Sequence, residues 1–374
     1  MSDGLRLLLC ARDMGAALNL APVARLLAGQ AGVELRVVAQ QPALAYLKAE
    51  AGHGGFAVTP FTGGEAGGLG DAGELLAAAR AVLDALRPHA VLTGLSWPGA
   101  GVDEAMAVVA EVPVLAFQDA WGDVNLTLGR IADRFLVRDD LAARLTFERC
   151  GRPCLVVGSP KYEAYGGLDV ATLRAAGRER LPGRGPVAGF FGQPLGDLPG
   201  YARSARAFGR AIAAVCPEAR LFFAPHPKEA GGAALTALGA AGLSVVRADF
   251  SRVEEALAAC DVAATCFSSC GEDLAELRAR GGDGLATMLY LLFEPDLAAV
   301  FGRGTGLDFV PVARQGRAVE VREVAHLPVA VAESLAGRIG RAAAVAPLGA
   351  ARAVAEALLD AARGNGTDRR AAHA

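Results

Sequence analysis

The stretch that decides the fold is residues 5–11, LRLLLCA, a nearly continuous apolar run that leads into the polar segment 12–15, RDMG. Such a run is typical of a strand in a parallel sheet, which helices bury on both faces. The segment 19–30 that follows has the alanine-rich, amphipathic pattern of a helix. The run therefore predicts the first β–α unit of an α/β protein, with a ligand-facing loop directly after its strand.

The same alternation of short apolar runs and longer amphipathic segments recurs along all 374 residues and predicts parallel sheets built from βαβ units. The predicted strands of the first half are Leu5–Ala11, Val33–Ala39, Ala57–Phe61, Ala90–Thr93, Val112–Phe117, Arg134–Val137 and Leu155–Val157. Those of the second half are Val187–Gly192, Leu221–Ala224, Ser244–Val246, Val262–Phe267, Ala286–Leu292 and Phe309–Val312. Helices are predicted between most of these strands, among them Asn19–Gln30, Pro328–Ala344 and Ala350–Ala362.

The alternation weakens over residues 166–186, where charged residues, proline and glycine accumulate, and the length of the chain favours two domains. We expect an N-terminal Rossmann-like domain at 1–165, a linker at 166–186 and a C-terminal Rossmann-like domain at 187–347. Residues 348–374 should form a final helix, which packs back towards the first domain, and a frayed tail.

The composition excludes several classes of protein. With 40 acidic and 37 basic residues, the formal net charge of −3 argues against a nucleic-acid binder, which usually carries a strongly basic surface. No apolar run approaches the roughly 20 residues of a membrane span, and the N-terminal run is too short for a signal peptide. The seven cysteines include no CxxC pair, which favours thiols in a reducing compartment. We therefore expect a cytoplasmic protein without a transmembrane segment; peripheral contact with a membrane is left open.

Loops that follow the strands of the first half carry three candidate site residues. Gly15 allows a ligand to approach the backbone beside a helix N-terminus, which favours anions. Asp13 is a candidate general base, with a helix cap as its alternative role. Asp119 leaves a strand together with Trp121, so that a carboxylate lies beside a stacking surface. Glu104, in the predicted helix that follows the fourth strand, is expected to be solvated rather than catalytic.

The second half places its strongest candidate, His226, between two prolines at a strand end. Such an imidazole can donate a hydrogen bond to a phosphate oxygen or act as an acid towards a leaving group. Lys228 follows two residues later and offers a positive charge. Gly192 and Gln193, after another strand, fit a small-residue contact to phosphate or ribose, although the segment is also a turn signal.

The loops after two further strands of the second half also carry candidate binding residues. Ser268 and Ser269 close a strand and open a helix, so that their hydroxyls and the unpaired N–H groups can bind a phosphate, or one of them can cap the helix. Glu294 follows the next strand, where its carboxylate can accept both hydroxyls of a ribose or sugar.

With these loops in order, residues 5–362 resemble the GT-B architecture, in which two Rossmann-like domains with parallel sheets face a central cleft, as in many nucleotide-sugar glycosyltransferases. The most specific part is Pro225-His226-Pro227, followed about forty residues later by Ser268-Ser269. These segments are similar to the His-Pro and Ser motifs with which polysialyltransferase-like, capsule-type and CDP-glycerol-type transferases hold the phosphates of the donor.

The first half also resembles the UDP-N-acetylglucosamine 2-epimerases in the order of four segments: 91–94, VLTG; 112–114, VPV; 132–137, ADRFLV; and 156–160, VVGSP. That family shows His-Gly-Asp-Thr after its fourth strand and His-Val-Glu-Ala-Gly after its fifth. This chain has Thr-Gly-Leu-Ser and Phe-Gln-Asp-Ala-Trp-Gly at those places, with Asp119 about where the family has its glutamate.

The resemblances imply a glycosyltransferase that moves a sugar from a UDP- or CMP/CDP-linked donor to a hydroxyl of an unknown acceptor, in polysaccharide or glycoconjugate biosynthesis. Asp13 or Asp119 would take the proton of the acceptor, and His226 would assist the leaving nucleotide. The donor would be bound by the residues Gly15, Gly192, Gln193, His226, Lys228, Ser268, Ser269 and Glu294. Neither a cofactor nor a metal ion is expected, because the sequence contains no Asp-x-Asp. Two alternatives stay open: a nucleotide-sugar epimerase or hydrolase on the same fold, and a catalytically silent binding subunit.

Overall fold

The structure is a computed structural model that describes residues 4–226, 228–229, 232–248, 250, 252–281, 284–339 and 348–364. The chain forms two compact units, Met1–Ala164 together with Ala346–Ala374, and Tyr165–Val345. Pro227 of the His-Pro motif, the end of the predicted helix Pro328–Ala344 and the tail beyond residue 364 lie outside the described residues. Among the helices of this described part, none has the length and apolar composition that a membrane crossing needs.

The first unit is built on a seven-stranded parallel sheet, and the run LRLLLCA forms one of its interior strands. Its strands are β1 (Leu5–Ala11), β2 (Val33–Ala39), β3 (Val58–Pro60), β4 (Ala90–Thr93), β5 (Val114–Phe117), β6 (Arg134–Val137) and β7 (Cys154–Val156). They lie in the order β3-β2-β1-β4-β5-β6-β7, and every pair is parallel. The helices between them are α1 (Met14–Ala28), α2 (Ala43–Gly54), α3 (Gly73–Leu86), α4 (Val102–Val109) and α5 (Asp140–Cys150). Because the strand order reverses between β1 and β4, the loops after these strands flank the crevice in which such sheets bind ligands.

The second unit repeats the construction. Its strands are β8 (Val187–Phe191), β9 (Arg220–Ala224), β10 (Val245–Arg247), β11 (Val262–Thr265), β12 (Met288–Leu291) and β13 (Val319–Val321), in the parallel order β10-β9-β8-β11-β12-β13. Its helices are α6 (Val170–Glu179), α7 (Pro199–Val215), α8 (Ala233–Gly239), α9 (Val253–Ala259), α10 (Cys270–Gly281), α11 (Pro295–Thr305), α12 (Pro311–Arg314) and α13 (Leu327–Leu335). Here the order reverses between β8 and β11, so the loops after residues 191 and 265 flank the corresponding crevice.

One predicted strand is wrong. Residues 309–312 were expected to form the last strand, but Pro311 begins the short helix α12, and the edge strand is β13 instead. Proline suits the first turn of a helix, where its missing N–H costs no hydrogen bond. The carboxylate of Glu320 on β13 accepts the N–H of Val310 at 2.7 Å and thereby fixes the turn between the two elements.

The segment 166–186 contains α6, which packs on the second unit. Arg174 and Arg178 on this helix both reach the carboxylate of Asp261, each with an N–O distance of 2.6 Å. Asp261 also accepts the N–H of Val187 at the start of β8, at 2.8 Å. These contacts attach α6 to the beginning of the second sheet.

The last helix, α14 (Ala350–Ala362), returns to the first unit, as predicted, and packs against α1, β1 and β4. The side chains of Val354 and Leu358 have no exposed surface and belong to the same apolar core as Leu9 of β1. Glu163 accepts the N–H of Ala351 at 2.7 Å in the first turn of α14. The first unit therefore needs the C-terminal part of the chain to complete its core.

We expect Leu358→Ala to destabilise the first unit by about 2–5 kcal/mol, because it removes apolar burial and leaves a cavity. Both tryptophans of the chain, Trp97 and Trp121, lie in this unit, so tryptophan fluorescence during denaturant unfolding reports its stability. The exposed Glu356→Ala on the same helix is the matched control. Equal unfolding midpoints for the two variants would show that α14 contributes little to the core.

Candidate functional site

The residues proposed from the sequence all lie in the segments that follow the strands. Asp13, Gly15 and Asp119 belong to the first unit, and the donor-site candidates Gly192, Gln193, His226, Lys228, Ser268, Ser269 and Glu294 belong to the second.

The second unit contains a cavity of about 450 Å³ at the carboxyl ends of β8, β9 and β10. Its lining includes two predicted residues, Gly192 and His226. It also includes Glu229, Arg247 and Cys270, which sequence reasoning did not propose. Cys270 is the first residue of α10, so the cavity borders the N-terminus of a twelve-residue helix, where backbone N–H groups favour an anion.

The ring of His226 is held in one tautomer. Its Nδ1 accepts the backbone N–H of Lys228 at 3.0 Å, so the proton of the neutral ring lies on Nε2. Burial and the nearby charge of Lys228 lower the pKa of His226 below 6.5, which keeps the imidazole neutral at neutral pH. His226 therefore offers a fixed Nε2–H donor, the group that a phosphate oxygen accepts from.

Glu229 lies against Gly192, the residue that follows β8. Its Oε1 accepts the hydroxyl of the fully buried Tyr201 at 3.0 Å, and Tyr201 in turn accepts the N–H of Gln193 at 2.9 Å. A methyl group added at Gly192 would overlap Glu229 Oε2, so glycine is needed for this carboxylate to sit where it does. Burial raises the pKa of Glu229.

Gln193 ties the ends of two neighbouring strands together. Its side-chain oxygen accepts the N–H of Phe267 at 2.8 Å, beyond the end of β11, while Gln193 itself follows β8. Thr265 donates its hydroxyl to the carbonyl of Phe191 at 2.9 Å and reinforces the same junction. The buried Gln193 side chain thus holds the loops in position beside the cavity.

The two serines differ in their surroundings. Ser268 is buried, and its Oγ accepts the N–H of Cys270 at 3.3 Å; Ser269 is exposed, and its carbonyl accepts the N–H of Glu272 at 2.9 Å. The Ser268 hydroxyl therefore acts as a cap of α10, which was the alternative that the sequence left open.

Lys228 and Glu294 are not among the lining residues of the cavity. The side chain of Lys228 is exposed. The Oε2 of Glu294 accepts two N–H groups of Arg203, at 2.8 and 2.7 Å, and this ion pair ties the carboxylate to α7.

In the first unit, Asp13 stands at the N-cap position of α1 but does not cap it with its side chain. Its carboxylate accepts Arg12 Nε at 3.0 Å and the N–H of Trp97 at 2.7 Å. Arg12 is itself buried and donates to the carbonyl of Pro98 at 2.9 Å. Asp13 thus joins the loops that follow β1 and β4.

Asp119 and Gly15 are direct neighbours. A methyl group added at Gly15 would overlap Asp119 Oδ2, so the carboxylate lies against the first turn of α1. Trp121, expected as a stacking surface, is buried instead, and the guanidinium of Arg138 covers its ring at 4.0 Å from the centroid. Of the two side chains expected in the candidate site, the loop after β5 therefore contributes the carboxylate of Asp119 and not the indole of Trp121.

Two buried carboxylates, those of Asp103 and Glu104, accept hydrogen bonds from the loops after β1 and β4. Asp103 accepts the N–H groups of Arg12 and Gly94, at 2.9 and 2.8 Å, and the hydroxyl of Ser96 at 2.8 Å. Glu104 accepts the N–H of Ser96 at 2.9 Å. Burial raises the pKa of both carboxyl groups, and the charge of Asp103 raises that of Glu104 further.

The expectation that Glu104 is solvated is therefore wrong. The sequence did contain a signal: Gly101 is the N-cap of α4 and Glu104 is its N3 residue, the spacing at which a glutamate accepts the N–H of the cap residue, here at 2.9 Å. No comparable signal marks Tyr201 or Glu229. Tyr201 bonds to Gln193, eight residues away along the chain, and to Glu229, 28 residues away.

The buried pair predicts a pH dependence of stability. Because the folded-state pKa of Glu104 lies above its ordinary value of 4.5, the folded protein binds more protons than the unfolded chain, and the free energy of unfolding falls as pH rises from 4.5 towards the raised pKa. Glu104→Gln cannot ionise and should show a shallower fall than the wild type in tryptophan-monitored unfolding. Glu111→Gln, at an exposed position just after α4, should keep the wild-type slope. Equal slopes for all three proteins would contradict the assignment.

No protein-family model matches the chain, and no curated protein matches its sequence. Solved structures do match its fold. A UDP-GlcNAc 2-epimerase from Neisseria meningitidis bound to UDP-GlcNAc has a TM-score of 0.63 at 12% identity, over 95% of this chain and 100% of that one. A UDP-GlcNAc 2-epimerase from Methanocaldococcus jannaschii has a TM-score of 0.62 at 13% identity, over 94% and 98% of the two chains.

A glycosyltransferase from Rickettsia africae has a TM-score of 0.58 at 10% identity, over 97% of this chain and 94% of that one. At such low identity these likenesses concern the fold. They agree with the two parallel sheets and their strand orders, and they confirm the predicted fold class: the chain has the GT-B fold, built from two Rossmann-like units.

Proposed function

We propose that the protein is a glycosyltransferase that moves a sugar from a nucleotide-activated donor to an acceptor hydroxyl. The observation that carries this proposal is the cavity of the second unit, where His226, fixed with its proton on Nε2, lies beside the N-terminus of α10. His226 donates a hydrogen bond to an anionic oxygen atom, and the positive end of the helix dipole attracts the same charge. The fold is shared with a structure that holds UDP-GlcNAc, a nucleotide sugar.

The cavity supplies the interactions that departure of a nucleotide requires. As the bond between the sugar and the phosphate breaks, negative charge grows on the phosphate oxygen atoms. The Nε2–H of His226 stabilises this charge without rearranging, because the N–H of Lys228 fixes the ring. The positive end of the α10 helix dipole adds to this stabilisation.

The first unit supplies the candidate bases. Transfer to a hydroxyl requires a group that removes its proton, and both Asp13 and Asp119 follow strands of the first sheet. Asp13 accepts Arg12 Nε–H and the N–H of Trp97, which fix the orientation of its carboxylate. Asp119 lies against Gly15 in the first turn of α1, and it is the second candidate base.

An epimerase or hydrolase of nucleotide sugars is the second candidate. It is favoured by the two 2-epimerase structures, whose TM-scores of 0.63 and 0.62 exceed the 0.58 of the glycosyltransferase. It is opposed by the loops after β4 and β5, which lack the histidines of the epimerase motifs.

The deciding experiment is nucleotide release from a panel of UDP-, CDP- and CMP-linked sugars, measured with and without a panel of carbohydrate and lipid-linked acceptors. We expect release that requires an acceptor and that continues in EDTA. Release or sugar isomerisation without an acceptor would replace transfer with hydrolysis or epimerisation. If thermal-shift measurements detect no binding of any nucleotide, both enzymatic functions fail.

We expect His226→Ala to weaken binding of the nucleotide about 10- to 100-fold, the usual effect of losing a hydrogen bond to a charged group. Isothermal titration with the nucleotide that the panel identifies measures the change. His53→Ala, at an exposed histidine of the first unit, is the control and should bind like the wild type. Unchanged affinity of His226→Ala would remove His226 from the site.

Gly15→Ala tests the role of Asp119 without altering that residue. Alanine is a better helix former than glycine, so the variant should keep its stability, but its methyl group must displace the Asp119 carboxylate. We expect turnover at saturating donor to fall at least about tenfold, as for Asp119→Asn. Gly73→Ala, at the open start of α3, is the matched control. Full activity of both Gly15→Ala and Asp119→Asn would exclude Asp119 as the base.

A further inference from the structure

The first unit contains a cavity of about 420 Å³ at the edge of its sheet where the parallel strands begin. Its lining comes from the starts of β1, β4 and β5 and from the ends of α3 and α4. Asp13, a candidate base, lies beyond the other end of the seven-residue strand β1. A ligand in this cavity is therefore separate from the proposed transfer reaction, which uses the loops at the carboxyl ends of the strands.

The charged lining of this cavity is mostly basic. It consists of three guanidinium groups, two carboxylates and one imidazole, those of Arg6, Arg80, Arg87, Asp84, Glu111 and His89. The structure describes all six side chains, and among them no ion pair joins an arginine to a carboxylate. The cavity thus has an excess of positive charge, and its arginines are not paired with the two carboxylates beside them.

Two hydrogen-bond donors of this lining face each other. Nδ1 of His89 accepts the backbone N–H of Arg6 at 3.0 Å, so the proton of the neutral ring lies on Nε2. Nη2 of Arg6, which can only donate, lies 3.3 Å from this Nε2. Neither nitrogen can accept a hydrogen bond from the other, whereas an oxygen atom that binds beside them can accept from both.

Arg87 has a backbone conformation that is usual for glycine. It ends α3 with a φ of 42°, and among the residues that the structure describes it is the only non-glycine residue with a positive φ. The helices α2, α5 and α11 have a glycine at the corresponding position, namely Gly55, Gly151 and Gly306. Glycine adopts this conformation without strain, so the need to end the helix does not account for an arginine here.

We propose that this cavity binds an oxyanion, a phosphate or carboxylate group of a small metabolite, through its three arginines and His89. The planar guanidinium group matches the paired oxygen atoms of either anion, and His89 and Arg6 supply two convergent donors. The inference does not depend on the proposed function, because the donor cavity belongs to the second unit. A ligand that binds only the folded first unit should also stabilise it.

The two carboxylates of the lining test the sign of the ligand's charge. Asp84 lies on α3 between Arg80 and Arg87, and Glu111 follows α4. Both carboxylates repel an anion. The removal of one of these charges should therefore tighten the binding of an anion, whereas it would weaken the binding of a cation.

The test is denaturant unfolding of the full chain, followed by tryptophan fluorescence, which reports the first unit because both tryptophans lie there. Inorganic phosphate, pyrophosphate and citrate are the probes, each compared with chloride at equal ionic strength. At least one probe should raise the unfolding midpoint of the wild type, and the dependence on its concentration gives the affinity. A phosphate probe that acts without citrate identifies a phosphate group, and the reverse identifies a carboxylate.

Four variants separate a site from the general stabilising effect of such salts, which is common to all of them. Arg80→Gln and Arg87→Gly should each bind the probe at least about tenfold more weakly, the effect of losing a hydrogen bond to a charged group. Arg87→Gly should unfold at about the wild-type midpoint in chloride, because glycine suits the end of α3. Glu111→Gln should bind more tightly, and Arg144→Gln, at an exposed arginine of α5, is the matched control with wild-type affinity.

The proposal fails if no probe raises the midpoint of the wild type, or if Arg80→Gln and Arg87→Gly both show the full wild-type shift. Weaker binding by Glu111→Gln would replace the anion with a cation. Equal losses in Arg144→Gln and in the two cavity variants would reduce the effect to the overall charge of the chain. His226→Ala should keep the wild-type shift, and its loss would place the probe in the donor cavity instead.

Discussion

Both units depend on one constraint, the burial of parallel strands on both faces. In β1, Leu8 and Leu9 have no exposed surface, and the same holds for Phe190 and Phe222 in the second sheet. The core strands enclosed in this way are followed by polar loops, and the loops at the carboxyl edge of each sheet are those that can bind a ligand. The order of the strands then decides which loops become neighbours. For this reason the candidate residues after β8 and β9 share a cavity, while Glu294, after β12, pairs with α7 instead.

A second theme is the use of buried carboxylates to hold these loops. Asp103 and Glu104 accept backbone N–H groups from the loops after β1 and β4. Buried carboxylates are costly unless they are hydrogen-bonded, and here backbone donors supply most of the bonds. Glu229 differs from this pair, because it lines the cavity of the second unit.

The apolar runs predicted the strands well because burial on both faces leaves a strong pattern in the sequence. Four strands of the first sheet begin and end at the predicted residues, among them β1 and β4. Prediction failed where local chemistry was ambiguous. Residues 309–312 are apolar enough for a strand, but Pro311 begins a helix there. Charged residues were harder still, since a glutamate such as Glu104 looks solvated unless the N-terminal position that it takes in α4 is recognised.

The sequence by itself determined the fold class and the strand-end loops and marked His226 as a candidate residue, because hydrophobic periodicity and an imidazole between prolines are local features. The tertiary structure decided which side chains meet. It placed Glu229 on Tyr201, Asp119 on Gly15 and Arg138 on the ring of Trp121. These contacts join residues that are far apart along the chain, and their geometry is set by strand order and close packing, which no local pattern encodes.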